Sequence, residues 1–197
     1  LTSTIDTPEI GPINQALADK GWSLTHILNT HHHFDHAGGN LELKEQWQCN
    51  IVGSKSDAKR IPGIDVALGE GDTYQFGDHE ATVFDVSGHT MGHIAFYFAE
   101  DDVLFSGDAL FALGCGRLFE GSPAQMWNSL QKLKALPDAT TVYCAHEYTA
   151  ANAAFAISVE PDNQALQSRV EEIKTLRASG TPTVPSYLGL EKATNPF

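Results

Sequence analysis

The stretch Thr30-His31-His32-His33-Phe34-Asp35-His36-Ala37-Gly38-Gly39-Asn40 constrains this chain more than any other, because no packing requirement explains four histidines and a carboxylate within six residues. It follows Ser23 to Asn29, whose alternation of apolar and polar residues predicts a strand with one buried face. The histidines therefore stand at the carboxyl end of a strand, at the mouth of an open α/β sheet, where ligands bind. In extended backbone residues i and i+2 share one side, so His31 and His33 can grip one ion while His32 points elsewhere. Asp35 and His36 come where the chain bends at Ala37-Gly38-Gly39 toward a helix from Asn40, and they are better placed for a second ion. Zinc takes imidazole nitrogen and carboxylate oxygen at about 2.0 to 2.2 Å, and metal pairs about 3.5 to 4 Å apart clamp hydrolytic reactions. A histidine-rich purification tag would carry no interleaved Asp and would not run between a strand and a helix.

Composition narrows the partners. The 197 residues hold 42% hydrophobic side chains, enough for one domain or a domain with a small appendage. A formal charge of −13 with only 12 Lys and Arg argues against a nucleic-acid surface. Two divalent cations would still make the pocket locally positive. No apolar run approaches the roughly 20 residues of a membrane span. Cys49, Cys115 and Cys144 fit neither a disulfide framework nor a Cys-x-x-Cys knuckle, so a reducing compartment is expected; the setting is read as cytoplasmic, with organellar targeting left open, and the protein as a monomer. The chain opens at Leu1 without Met, which leaves a removed leader open.

Further along, other chemistry-bearing residues recur just past strand ends. Leu1 to Ile5 reads as a strand end, Pro12 to Lys20 as a helix stopped by Gly21, and Asn40 to Trp47 as a helix with Leu41 and Leu43 inward. Asn50 to Gly53 reads as a short strand and Ser54 to Gly71 as loop. Thr73 to Phe76 and Glu80 to Val86 alternate around Gly77-Asp78 as a hairpin, delivering Ser87-Gly88-His89-Thr90-Met91-Gly92-His93. Ile94 to Ala99 pairs with Val103 to Ser106, which ends on Gly107-Asp108. Ser122-Pro123-Ala124-Gln125 predicts a helix start with a capping box. Thr140 to Ala145 reads as a buried strand ending at His146-Glu147-Tyr148, followed by helices from Thr149 to Val159 and Pro161 to Ser179 and an extended connector.

The inventory is five imidazoles and two carboxylates, dividing into two imidazole-rich sets joined by one acid, since a carboxylate has two oxygens with which to bridge. Such a metal pair lowers the pKa of bound water from 15.7 toward about 7 and holds hydroxide beside a polarised carbonyl.

The motifs His-x-His-x-Asp-His, Gly-His-Thr-x-Gly-His, Ser-Gly-Asp and a late lone His resemble the metallo-β-lactamase superfamily. More narrowly, Gly114-Cys115-Gly116-Arg117-Leu118-Phe119-Glu120-Gly121 and Cys144-Ala145-His146-Glu147-Tyr148-Thr149 resemble the glyoxalase II, or hydroxyacylglutathione hydrolase, family. That resemblance implies an α/β fold, an αββα sandwich with a helical C-terminal segment. It implies that residues 1–159 form the metal-binding domain and residues 160–197 an incomplete glutathione-binding segment, with further strands ahead of Asp6. It implies a binuclear-metal thioester hydrolase that splits S-D-lactoylglutathione into D-lactate and glutathione by metal-hydroxide attack. By matching position, His31, His33 and His89 would hold the first metal, Asp35, His36 and His146 the second, and Asp108 would bridge them. Zinc, iron and manganese all occur in the family, and this ligand set does not choose among them.

The same resemblance gives Arg117, Phe119 and Tyr148 to the substrate. Arg117 would contact glutathione through its fork, Tyr148 would bond the tripeptide near its sulfur, and Phe119 replaces a tyrosine of some relatives and loses its hydroxyl. His32 and His93 are expected to support ligands from behind, His26 and His79 to be ordinary strand residues, and Asp85 and Glu147 to be acids that orient ligands or plain surface charges. Cys144 is expected to be a buried thiol, and Cys115 has no nucleophile's partner in sequence. Other readings stay open: a thioesterase or lactonase of other specificity, a persulfide dioxygenase with one iron, or a non-catalytic metal module.

Overall fold

A computed structural model describes residues 1–197. Two sheets lie face to face with helices outside both. The first runs β1 (Ser3–Ile5), β2 (His26–Leu28), β3 (Asn50–Ser54) and β4 (Val66–Leu68), all parallel. Along β2 successive side chains alternate: Leu28 joins the packing between the sheets, whereas Ile27 faces the helices α1 (Ile10–Lys20) and α3 (Asn40–Trp47), between which the short α2 (Phe34–Ala37) falls in the chain. There it packs with Leu17, Leu43 and Ile51.

The second sheet takes β5 (Thr73–Phe76), β6 (His79–Asp85), β7 (Ile94–Phe98) and β8 (Val103–Gly107) as an antiparallel meander. The small hairpin β9 (Leu110–Phe111) and β10 (Gly114–Cys115) follows. Strand β11 (Thr141–Cys144) then pairs parallel to β8, and β12 (Ser186–Tyr187) closes the edge. On β7, Ile94, Phe96 and Phe98 point between the sheets, while Ala95 and Tyr97 meet the outer helix α4 (Pro123–Lys134) through Met126, Leu130 and Leu133. The expected capping box is present: Ser122 and Gln125 cap each other's backbone at the start of α4. The outcome is the αββα sandwich, with α5 (Thr149–Val159), α6 (Gln164–Ala178) and α7 (Leu188–Thr194) as its helical C-terminal part. No helix is long and apolar enough to cross a membrane.

Three local expectations are corrected. Leu41 is 58% exposed while Leu43 is buried, because residues two apart on a helix cannot share its face. The loop-like stretch after β3 contains β4, too short to show a period. The proline-rich tail is not a plain connector: Ser186 pairs with Val142, and α7 buries Leu188 under the second sheet.

The C-terminal helices reach the rest through α5 and α6, which enclose Leu113 with Ala153, Ala156, Leu166, Val170 and Ile173. Leu166 is fully buried there. Leu166→Ala should destabilise the fold by about 2–5 kcal/mol in urea unfolding; a loss under about 1 kcal/mol would show that this layer is loosely packed.

Candidate metal centre

Each candidate ligand stands just past a strand. His31 to His36 follow β2, His89 and His93 follow β6, Asp108 follows β8 and His146 follows β11. A register shift at Tyr143/Cys144 in the β8–β11 ladder ends regular pairing just before His146. Gly107, at φ +51, makes the turn onto Asp108; a Cβ there would stand 2.6 Å from Thr30 Oγ1 and 2.8 Å from the His93 ring. A side chain is thus excluded by both dihedral and space.

The residues expected to bind metals are brought together. His31, His33 and His89 form one group, with His33 Nδ1 lying 3.0 Å from His31 Nε2 and 3.1 Å from His89 Nε2. Asp35, His36 and His146 form another, the two imidazole Nε2 atoms 3.3 Å apart and Asp35 Oδ2 3.6 Å from His146 Nε2. Asp108 lies between the groups. Its Oδ1 is 3.4 Å from His36 Nε2 and 3.5 Å from His146 Nε2, while its Oδ2 is 3.4 Å from His89 Nε2.

Hydrogen bonds behind the rings decide which nitrogens face inward. His36 Nδ1 lies 2.8 Å from Asp6 Oδ2, and a carboxylate can only accept, so Nδ1 carries the proton and Nε2 keeps its lone pair. His89 Nδ1 likewise donates to the Arg117 carbonyl at 2.7 Å. Thr30 Oγ1 donates to Asp6 Oδ2 at 2.8 Å, so it accepts from His31 Nδ1 at 3.1 Å and frees His31 Nε2 as well. Asp6 also accepts the Thr30 amide at 2.8 Å. His93 Nε2 accepts the Asp108 amide at 3.0 Å and fixes the backbone of the central acid.

Electrostatics agree. Burial, reinforced by neighbouring imidazoles, pushes His31 far below its usual range and His89 down to about 4, leaving both neutral with free lone pairs at pH 7. Burial opposes charge on His36 too, yet the Asp6 hydrogen bond and the charges of Asp6, Asp108 and Asp35 outweigh it and raise its pKa. Burial pushes the Asp108 carboxyl up to about 6, and its Oδ1 is buried with no hydrogen-bond partner. Converging lone pairs, an orphaned carboxylate oxygen and three acids around His36 together fit cations lying among these groups.

A cleft of about 560 Å³ opens over the centre, with His33, Asp108 and His146 on its floor and Arg117, Phe119 and Tyr148 on its walls. Tyr148 stacks on His146 at 5.1 Å, Phe119 meets His89 edge-on at 5.2 Å, and the Arg117 guanidinium lies 5.9 Å from the Phe119 ring centre.

Several residues land elsewhere. Asp85 accepts the Ser87 amide and Glu147 accepts from Thr183, so neither acid orients a ligand. His26 sits beside Thr25, and His79 bonds Asp101 at the surface. Burial raises the thiol of Cys144 and pushes Cys115 up to about 11, which makes neither a thiolate nucleophile. Asp6 is the functional acid that sequence reasoning missed. Its one signal was its place just past β1, the same rule that marked the candidate ligands.

A hydrolytic metal centre at the carboxyl ends of a two-sheet sandwich defines the class, and the comparisons agree. The model of the metallo-beta-lactamase superfamily matches residues 4–146, and that of the hydroxyacylglutathione hydrolase C-terminus matches residues 147–197. A hydroxyacylglutathione hydrolase of Methylococcus capsulatus is 58% identical over 196 residues, covering 100% of this chain and 77% of the relative. Another from Rhizobium johnstonii is 56% identical over the same shares, 100% and 77%. ETHE1 from Myxococcus xanthus superposes with a TM-score of 0.72 at 27% identity, covering 98% of this chain and 72% of that one. TTHA1623, solved in a di-iron-bound form, gives a TM-score of 0.70 at 27% identity over 98% of this chain and 87% of its own. The chain belongs to the hydroxyacylglutathione hydrolases of the metallo-β-lactamase superfamily.

Removing the acid behind both groups should weaken both. Asp6→Ala is expected to lower metal affinity about 10- to 100-fold in competition with a chelator; unchanged affinity would reduce Asp6 to a packing role.

Proposed function

We propose that this enzyme hydrolyses S-D-lactoylglutathione to D-lactate and glutathione. The observation that carries the reading is Asp108, one oxygen facing each histidine group, on the floor of a cleft with an arginine and two aromatic side chains on its walls. His31, His33 and His89 would hold one divalent ion, Asp35, His36 and His146 a second, and Asp108 would join them; zinc is the first choice, with iron or manganese compatible. When bound, such a pair supplies an acidified water and polarises the thioester carbonyl.

The side chains of the protein do the rest. Asp6, Thr30 and the Arg117 carbonyl hold the ring protons of His36, His31 and His89 on their outer nitrogens, so these three imidazoles present lone pairs inward. Arg117, exposed at the rim, offers a two-pronged donor to a glutathione carboxylate. Tyr148 and Phe119 line the cleft beside Asp108, where Tyr148 would bond the tripeptide near its sulfur. The leaving thiol, with a pKa of about 8.5, departs as thiolate without a strong acid. In this proposal residues 1–159 carry the metals and residues 160–197 buttress the glutathione side. Support comes from Asn195 donating to the Phe111 and Gly114 carbonyls and Glu191 accepting the Leu113 amide. Three free cysteines support a reducing, cytoplasmic setting, and a site completed within one chain supports a monomer.

Metal-reconstituted protein should turn over S-D-lactoylglutathione, followed by loss of thioester absorbance, with about two metals per chain in the same sample. Two metals without turnover would point to another thioester or ester. Arg117→Ala should raise KM with kcat nearly kept, as uniform binding requires; a loss confined to kcat would move Arg117 to the transition state.

A further inference from the structure

The metal reading leaves a second polar chain unexplained. Asp57, buried in the turn after β3, accepts His32 Nδ1–H at 2.9 Å on one oxygen. Its other oxygen accepts Arg60 Nε at 3.0 Å and Nη2 at 2.5 Å. Arg60 then turns toward the opposite acid, donating Nη1 to Glu120 Oε1 at 2.5 Å and Nη2 to Glu120 Oε2 at 3.1 Å. Glu120 in turn accepts the Met91 amide at 2.7 Å. One guanidinium therefore ties His32, held between the ligands His31 and His33, to the loop that carries Arg117 and Phe119.

Two observations show that the chain is built. Gly92 leaves room for Asp57: a Cβ there would lie 2.2 Å from the Asp57 carboxyl carbon, so the second glycine of Gly-His-Thr-Met-Gly-His is a place for this acid. On the other side, the Phe119 and Gly121 amides donate to the His89 and Gly88 carbonyls, so a shift of Glu120 would move the loop against a ligand-bearing turn. The Arg60 hydrogen bond holds the Glu120 carboxyl down to about 2, which keeps it an acceptor across the working range. Phe119 stands between the tied ends, edge-on to His33 at 5.6 Å.

We propose that Arg60 is a positioning residue that sets the glutathione-side loop at its distance from the metal ligands through Asp57 and Glu120. This rests on the hydrolase reading above. The guanidinium is 40% exposed, so its pair with Glu120 contributes little to stability, and the consequence of that pair lies in geometry. Lysine cannot replace it, because one ammonium lacks the fork that spans two carboxylates.

The test compares wild type, Arg60→Ala, Arg60→Lys, Glu120→Ala and the Arg60→Ala/Glu120→Ala double variant. Each is assayed on S-D-lactoylglutathione and on a lactoyl thioester of N-acetylcysteamine, with metal content, Tm and glutathione binding by calorimetry. Arg60→Ala should raise KM for the glutathione thioester about tenfold with kcat within about twofold, and should weaken glutathione binding to match. Metal content and kcat/KM on the short thioester should stay at wild-type values, lysine should not restore KM, and the double variant should resemble either single one. Equal losses on both thioesters, additive effects, or a lower Tm with KM unchanged would each overturn the proposal. A wild type inactive on S-D-lactoylglutathione overturns the hydrolase reading and this inference with it, whereas an active wild type with an unaffected Arg60→Ala overturns this inference alone.

Discussion

Burying the Asp108 carboxylate beneath a ring of imidazoles is unfavourable unless positive charge lies beside it, and much of the architecture serves to make that burial tolerable. The amide of Asp108 is spent on His93, Gly107 removes the side chain that would crowd Thr30, and each oxygen is aimed at a different histidine group. The outer hydrogen bonds of His31, His36 and His89 do the complementary task of presenting lone pairs rather than protons to the same space. An apolar pocket would have no use for this arrangement. A pair of cations joined by one acid would use all of it.

The two sheets supply the rigidity. Strand β2 and strand β8 belong to different sheets, yet their carboxyl ends are brought together by a core in which Leu28 and Val52 meet Phe96 and Ile94. Asp6 then ties the end of β1 to Thr30 and His36, so two strand ends and a short helix move as one unit. The helical C-terminal part enters through a buried polar cluster in which Arg169 and Glu191 pair and Glu191 reaches the Leu113 amide. The wall of the cleft is therefore anchored from behind as well as from the side.

The parts legible in sequence are those whose signals are local. Four histidines within six residues, a capping box at Ser122, and the helix Asn40–Trp47 each carry their own information. The parts that escaped depend on partners far along the chain. Asp6 acts through His36, and Asp57 through His32 and, by way of Arg60, Glu120. Strand β12 and helix α7 exist because Ser186 and Leu188 find Val142 and the second core, not because of any period in a proline-rich tail. Leu41 stays in solvent because side chains two apart on a helix point to different faces, and Leu43 takes the inward one.

The central claim is that Asp108 joins two metals, and manganese loading with electron paramagnetic resonance addresses it most directly. Titration of metal-free protein with Mn²⁺ should saturate at about two ions per chain and give the spectrum of an exchange-coupled pair. Asp108→Ala should bind less and show isolated ions only. A wild-type protein that saturates at about one ion, or that holds two without coupling, would contradict the bridging carboxylate and the binuclear centre built around it.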